Sequence, residues 1–208
     1  MRIRQFSKAL AVGLCASLLV PAAAEAQLFR FFDPSEQSFV TYDTNRQANR
    51  YAAPHPMYQA QVVAFPTAEA PGTIIVDTQN KLLYFTLKNQ LAIRYGVGVG
   101  KEGFGWSGVV RVGAKQEWPS WTPPADMIKR RPELIEYAGG MPGGPTNPLG
   151  ARALYLFDGG RDTMFRIHGT NEPWSIGQNV SSGCIRMLNE HVTELYRMAK
   201  VGTKVIVL

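Results

Sequence analysis

From Gly72 to the C terminus, short runs of β-branched and aromatic residues alternate with turn-forming residues, and this alternation constrains the fold most strongly. Such runs favour strands, because branched and aromatic side chains pack well on a pleated surface. Gly, Asn, Asp and Pro between the runs favour turns. The pattern predicts an antiparallel meander followed by further short strands, with the runs at 73–76, 82–87, 91–99, 109–112, 153–157, 164–168 and 204–208.

One amphipathic helix is predicted near the C terminus. Asn189 is suited to the N-cap position, and Gly202 is placed to end the helix. Between them, an apolar face repeats at helical spacing through Val192, Leu195, Tyr196 and Ala199. Pro123 and Pro124 predict a second, shorter helical turn. The expected fold class is therefore mainly β, a sandwich or barrel with one clear helix and short helical turns.

The N-terminal part of the chain has a different character. Residues 1–26 carry early basic residues, an apolar run and small residues before Ala26, which is typical of a secretory signal peptide. The apolar run is shorter than the roughly 20 residues that span a bilayer. We expect cleavage after Ala26 and export to the periplasm. Residues 27–71 are predicted to be a flexible tail or linker, and 72–208 the folded domain.

Composition excludes some functions and leaves others open. Hydrophobic residues make up 45% and charged residues 18%, which favours a packed core. The formal charge of +6 allows an acidic partner, but no Lys/Arg cluster lies beside aromatics, so nucleic acid is not an expected partner. The two cysteines, Cys15 and Cys184, exclude a disulfide framework and a zinc site made of cysteines alone.

Loss of the signal peptide would leave Cys184 as a lone thiol, 16 residues after His168. A thiol attacks a carbonyl carbon well only as thiolate, and a nearby imidazole can take its proton. Gly183 lets the backbone approach a substrate closely, and Arg186 would share a side with Cys184 in extended chain. A catalytic cysteine is one interpretation; a small buried cysteine is the other. His55 and His191 are predicted to face solvent.

The motifs together resemble the L,D-transpeptidase catalytic domain (YkuD type) of bacterial cell-wall enzymes. The resemblance runs from about residue 72 to residue 208, and its core is HGTN at 168–171 followed by SSGCIR at 181–186. It also includes TIIVD at 73–77, WTPP at 121–124 and NPLG at 147–150. The family usually has histidine where this chain has Ser182, which puts rate and substrate preference in question more than reaction class.

The resemblance implies a function on peptidoglycan stem peptides. Cys184 would be the nucleophile and His168 the proton donor and acceptor, oriented by the Gly169 carbonyl. Backbone N–H groups near Gly183 and Cys184 would hold the oxyanion. Neither a metal nor an organic cofactor is implied. The expected substrate-binding residues and groove-lining segments are Arg186, Ser182, Trp121, 118–124 and 139–150.

Several alternatives stay open at this point. The acyl acceptor could be a second stem, an amine on an outer-membrane protein, or water, and water would make the enzyme an L,D-carboxypeptidase. The alternative that is not an enzyme is a non-catalytic peptidoglycan-binding module with the same fold. Papain-like peptidases place cysteine before histidine, and sortase-like enzymes place the arginine much further from the cysteine, so both fit this order poorly.

Overall fold

The structure is a computed structural model that describes residues 55–101 and 105–208 with their side chains, and the backbone strands at 28–33 and 38–43. The predicted signal peptide lies outside the described residues. Within the described part of the chain, no helix is long and apolar enough to cross a membrane.

The predicted mainly β class is confirmed. The strands are β1 (Leu28–Asp33), β2 (Ser38–Asp43), β3 (Gln61–Ala64), β4 (Ile74–Asp77), β5 (Leu82–Thr86), β6 (Leu91–Gly96), β7 (Val99–Gly100), β8 (Gly108–Glu117), β9 (Arg152–Asp158), β10 (Arg161–His168), β11 (Asn179–Ser181), β12 (Ile185–Arg186) and β13 (Lys204–Val207). The helices are α1 (Ala125–Arg130) and α2 (Asn189–Met198), and 3-10 turns cover Pro56–Tyr58, Pro132–Tyr137 and Pro173–Ser175.

Nine strands form one sheet in the order β12-β10-β9-β8-β13-β4-β5-β6-β3. The consecutive strands β4, β5 and β6 pair antiparallel, as the meander prediction requires. Two pairs are parallel, β13 with β4 and β10 with β12. The second of these holds the predicted site residues, because β10 ends at His168 and β12 begins directly after Cys184.

The segment after β6 reaches the opposite edge of the sheet. Gly98 and Arg186 exchange two backbone hydrogen bonds, of 2.9 and 2.8 Å. Beyond them β7 pairs with β11 in a separate two-stranded sheet. The sheet therefore curls back on itself, and the edge strand β12 has backbone partners on both sides.

The core fills the inside of this curled sheet with apolar side chains from most strands and from α2. Tyr95, Leu154, Ile167 and Leu195 are among its fully buried members. Burying a side chain of that size contributes about 1.5–3 kcal/mol. Strands β9 and β10 are contacted by α2, so the helix stabilises the strand that ends at His168.

The helix near the C terminus forms, but two predictions about its ends are wrong. Its N-cap residue is Leu188, without a side-chain cap, and Asn189 is already helical. The helix ends at Met198, so Gly202 lies beyond it, in the turn before β13. The Asn189 side chain bonds to two loops instead of capping, because those loops offer buried backbone groups that water cannot reach.

The expectation that His191 faces solvent is also wrong, because its side chain is buried against Tyr95, with ring centroids 5.5 Å apart. The first turn of α2 faces the core at this position. His55 is exposed, as expected, and its Nδ1 accepts from the backbone of Met57.

The sheet begins before the predicted boundary at residue 72. Strand β3 pairs with β6 over four residues. Tyr58 packs so closely on Gly96 and Gly177 that an added methyl at either glycine would collide with it. Residues 55–64 therefore belong to the domain, although their polar, proline-containing sequence lacks a strand pattern.

The segment 27–71 also contains a hairpin, β1 paired antiparallel with β2 over six residues. The sequence analysis found no strands there. The hairpin belongs to a compact unit separate from the one that holds the nine-stranded sheet.

Candidate active site

The pairing of β10 with β12 places the predicted catalytic residues on one face. Ile167 lies beside Ile185 and His168 beside Arg186, in parallel register. The two isoleucines are buried in the core, and side chains alternate along a strand, so His168 and Arg186 lie on the other face. Cys184 precedes Ile185 and falls on the face of His168 and Arg186.

His168 is held as a neutral imidazole. Its side chain is buried, and its Nδ1 lies 2.5 Å from the Gly169 carbonyl oxygen. Burial lowers the pKa of His168 to about 3; the Arg186 charge also lowers it, and the Gly169 hydrogen bond opposes both. A carbonyl oxygen can only accept, so Nδ1 carries the proton and Nε2 keeps a free lone pair. This tautomer can accept a proton at Nε2.

Cys184 is a free, partly exposed thiol. Burial raises its pKa, while a backbone hydrogen bond at Arg166 and the charges of Arg166 and Arg186 act in the opposite direction. The directions of these shifts keep both the Cys184 thiol and the His168 imidazole neutral at rest. The two arginines favour the thiolate once its proton has moved.

Arg166 is fixed firmly beside the thiol. Its guanidinium forms a two-pronged pair with Asp162, at 2.7 and 2.8 Å, and lies over the Tyr155 ring at 4.3 Å. Such pairing restricts the rotamers of a long side chain. The positive charge therefore stays in one place.

The turn before Cys184 is organised by Ser181. Its hydroxyl donates to the Cys184 carbonyl at 2.6 Å and accepts from the Gly183 N–H at 3.1 Å. Gly183 has φ +107°, a conformation that side chains disfavour. The Gly183 N–H is therefore bonded to Ser181 in this structure, and its part in holding an oxyanion stays a prediction. Among the described residues, nothing accepts from the Cys184 N–H, which leaves that group for an oxyanion.

Ser182 is exposed at the tip of this turn. The resemblance leads us to expect a histidine at this position, and no hydrogen bond of the Ser182 side chain is found among the described residues. A small hydroxyl at an exposed position leaves the approach to Cys184 open.

Arg186 forms an ion pair that the sequence analysis missed. Its Nη1 donates to Glu172 Oε2 at 2.6 Å, and its side chain is only 18% exposed. Its Nε is buried without a hydrogen-bond partner among the described residues. Glu172 follows the HGTN motif, but no spacing rule connects it to Arg186, because the two meet only through the folded loop. The unpaired Nε can donate to a bound carboxylate or carbonyl.

Asn189 is a second residue that the sequence analysis assigned to another role. Its Oδ1 accepts from the N–H groups of Ala151 and Thr170, at 2.9 and 3.2 Å, and its Nδ2 donates to the Thr170 carbonyl at 3.0 Å. An added methyl at Gly169 would collide with this amide. Asn189 therefore fixes the turn that contains the Gly169 carbonyl and, through that carbonyl, the ring of His168.

The two segments predicted to border a groove are tied together. Trp121 and Met141 exchange backbone hydrogen bonds of 2.9 and 2.7 Å. Asn147 is fully buried and donates to three carbonyls of these segments. Thr146 accepts from Asn171, three residues after His168, at 2.8 Å. Both segments are thus anchored to the loop that follows His168.

Trp121 is partly exposed, 6.5 Å from the Tyr137 ring between centroids. Within the described residues, no group of three His, Cys, Asp or Glu side chains is close enough to hold a metal ion. The arrangement around Cys184 supports thiol acyl chemistry assisted by an imidazole and fixed positive charges.

A family model for the L,D-transpeptidase catalytic domain matches residues 71–207. Relatives include Probable L,D-transpeptidase YbiS of Escherichia coli, 33% identical over 150 residues, covering 70% of this chain and 47% of YbiS. Probable L,D-transpeptidase ErfK/SrfK of Escherichia coli is 32% identical over 156 residues, covering 71% of this chain and 47% of the relative. The chain thus spans about half the length of these curated relatives.

Among solved structures, a Brucella melitensis protein is 47% identical, with a TM-score of 0.52. The match covers 74% of this chain and 96% of the Brucella chain, whose title is "Probable carnitine operon oxidoreductase caia". That title describes the Brucella protein. The family match extends from the residue before Gly72 through β13 and includes His168 and Cys184, so this chain belongs to the L,D-transpeptidase catalytic domain family (YkuD type).

Proposed function

We propose that this chain is a cysteine-dependent L,D-transpeptidase that acts on tetrapeptide stems of peptidoglycan. The observation that carries the proposal is the neutral, Gly169-bonded His168 on the same strand face as Cys184. That arrangement supplies a nucleophile and a base whose free Nε2 can accept the thiol proton.

The first half-reaction forms an acyl-enzyme. Cys184 Sγ attacks the carbonyl carbon of the third stem residue, and its proton passes to His168 Nε2. The carbonyl oxygen becomes an oxyanion that accepts from the Cys184 N–H. The C–N bond to the terminal D-alanine then breaks, and His168 returns the proton to the leaving amine. The product is a thioester on Cys184.

The second half-reaction reverses these roles. An acceptor amine attacks the thioester carbonyl and gives its proton to His168. The C–S bond breaks, and the thiolate recovers the proton from the imidazolium. The acceptor is proposed to be the side-chain amine of a second stem, with an amine on an outer-membrane protein or water as alternatives.

Arg186 is proposed to hold the donor stem. The pair with Glu172 leaves its buried Nε free to donate, and stem peptides carry carboxylates and carbonyls that can accept. Trp121 and Ser182 are proposed to line the same groove, and export to the periplasm would bring the enzyme to its substrate.

Muropeptide analysis tests this function. Mass spectrometry of muropeptides and wall-bound proteins from cells with and without the chain should show one product that depends on Cys184. Crosslinks between diamino acids indicate a stem acceptor, wall-bound protein indicates a protein acceptor, and tripeptide stems alone indicate a carboxypeptidase. No change in any of them, together with binding of purified peptidoglycan, would support the non-catalytic binding module instead.

A further inference from the structure

Trp106 contacts the turn that precedes Cys184, from the side opposite to His168. Its indole Nε1 donates to the Gly183 carbonyl oxygen at 3.0 Å. The indole stacks on Phe165, with ring centroids 4.7 Å apart and an interplanar angle of 10°. Phe165 and Trp106 both pack against the core cluster that contains Ile167, so they lie on the face of β10 opposite to His168.

This contact fixes the orientation of one peptide plane. In a trans peptide the C=O of one residue and the N–H of the next point in opposite directions. The Gly183 carbonyl points to Trp106, so the Cys184 N–H points away from it. Since Trp106 is on the face opposite to His168, the N–H is directed to the side on which His168 and Arg186 lie.

Nothing else in the described turn holds that peptide in place. The Ser181 hydroxyl bonds to the Gly183 N–H and to the Cys184 carbonyl, which belong to the preceding and following peptide planes. Gly183, without a side chain and at φ +107°, has the rotational freedom to turn its own C=O. The indole donor is the group that removes this freedom.

We propose that Trp106 is a positioning residue that aims the Cys184 N–H at the oxyanion formed during acyl transfer. The inference rests on the proposed function, because it requires attack on a carbonyl at Cys184. An N–H held in advance towards the developing charge stabilises the transition state without reorganisation. Trp106 itself does not touch the reacting atoms.

Two reactions of the same thiol separate this role from simple packing. A carbapenem acylates a thiol through an oxyanion, in which the thiol adds to the lactam carbonyl and the C–N bond of the ring opens. Iodoacetamide alkylates the same sulfur by displacing iodide from a saturated carbon, with no oxyanion. The ratio of the two rates at Cys184, followed by intact mass, therefore reports on the N–H donor.

Trp106→Phe keeps an aromatic ring for Phe165 and removes the donor. We expect carbapenem acylation to slow about tenfold or more, while alkylation stays within about twofold of the unchanged protein. The matched control is Tyr84→Phe, which removes the hydroxyl group from another stacked aromatic, 4.3 Å from Phe65 between ring centroids, and should change neither rate. If Trp106→Phe leaves both rates unchanged, or lowers both by the same factor, the inference is overturned.

Trp106→His provides the reciprocal test, because the imidazole can place an N–H near the position of the indole Nε1 while the second ring is lost. Its ratio of acylation to alkylation should stay above that of Trp106→Phe, and a lower ratio would overturn the inference. If Trp106→Phe loses its circular dichroism spectrum, Trp106→His is compared with the unchanged protein instead, and a ratio lower by about tenfold or more would overturn the inference. An unchanged protein that is alkylated but never acylated, and never releases D-alanine, would overturn the proposed function together with this inference.

Discussion

At the level of single residues, burial keeps the Cys184 thiol and the His168 imidazole uncharged in the resting protein. Burial raises the pKa of Cys184 and lowers that of His168 to about 3, so neither group ionises readily alone. In the proposed mechanism, the thiolate arises when the proton of Cys184 moves to His168 Nε2. The nearby arginine charges then stabilise the anion on sulfur and disfavour the imidazolium, which promotes return of the proton to the leaving amine.

Arg186→Ala tests the binding role of the guanidinium. Removing a charge-assisted donor to a substrate carboxylate should cost roughly 1.5–3 kcal/mol, which lowers kcat/KM for tetrapeptide release about 10- to 150-fold. Arg186→Lys should recover little of the lost kcat/KM, because lysine lacks the planar guanidinium and its Nε–H donor. Arg161→Ala, an exposed position on β10, is the control. An unchanged kcat/KM in Arg186→Ala would show that this residue serves only the Glu172 pair.

Because His168 and His191 are buried in the neutral form, acid should destabilise the fold. The native pKa values of His168 and His191 lie below those of the unfolded chain, so the unfolded state binds more protons between the two values. The free energy of unfolding is therefore highest above about pH 6.5 and decreases as the pH falls below that value. For His168 alone, the free energy of unfolding should fall by about 2 kcal/mol between pH 7.5 and pH 5.

Urea unfolding at the two pH values measures this loss. Most carboxylates are ionised throughout that window, so the histidines dominate the change. His191→Leu should unfold with a smaller pH dependence, whereas His55→Leu, at an exposed position, should match the unchanged protein. A free energy of unfolding that is flat or that rises as pH falls would contradict the buried neutral state.

At the level of elements, the first residue of α2, the turn after His168 and the end of β10 meet at the His168 imidazole. Sequence rules assigned Asn189 to an N-cap because the local pattern contains only information about the helix. The fold instead directs the amide into the turns at Ala151 and Thr170, whose N–H groups have no strand partner. Such competition between local and long-range partners for a short amide side chain is decided by tertiary contacts.

Asn189→Ala should destabilise the domain and slow acyl transfer together. Two backbone N–H groups and one carbonyl lose their partner, at a cost of about 1–3 kcal/mol. Asn171→Ala, which loses one exposed bond to Thr146, should cost less than about 1 kcal/mol. Thermal unfolding and carbapenem acylation give the two readouts. Equal stability of both variants would show that the Asn189 contacts contribute nothing.

At the level of the whole molecule, local patterns predicted most strands, and long-range pairing decided where the site forms. The runs around Ile74, Leu83 and Leu154 were visible as β-branched and apolar stretches. The parallel pairing of β10 with β12 was not, because it joins segments separated by a loop without periodicity. Strand β3 was missed for a similar reason: its pairing with β6 overrides a weak local preference.

Two shortened chains test the domain boundary. A chain starting at residue 46 retains β3 and Tyr58, so its Tm should match that of the longer protein. A chain starting at residue 72 loses the β3 pairing and the packing of Tyr58 on Gly96. It should lose about 2 kcal/mol or more, which lowers Tm by about 4–8 °C. Equal Tm values for the two shortened chains would show that the folded domain begins at residue 72.

Incubation of the purified protein with a disaccharide tetrapeptide tests whether acyl transfer proceeds through Cys184. Mass spectrometry should show release of D-alanine and a thioester adduct on the peptide that contains Cys184. Cys184→Ala should form no adduct, and His168→Gln should form it far more slowly, since glutamine cannot accept the thiol proton. A folded protein that releases no D-alanine, or whose adduct lies away from Cys184, would contradict the account.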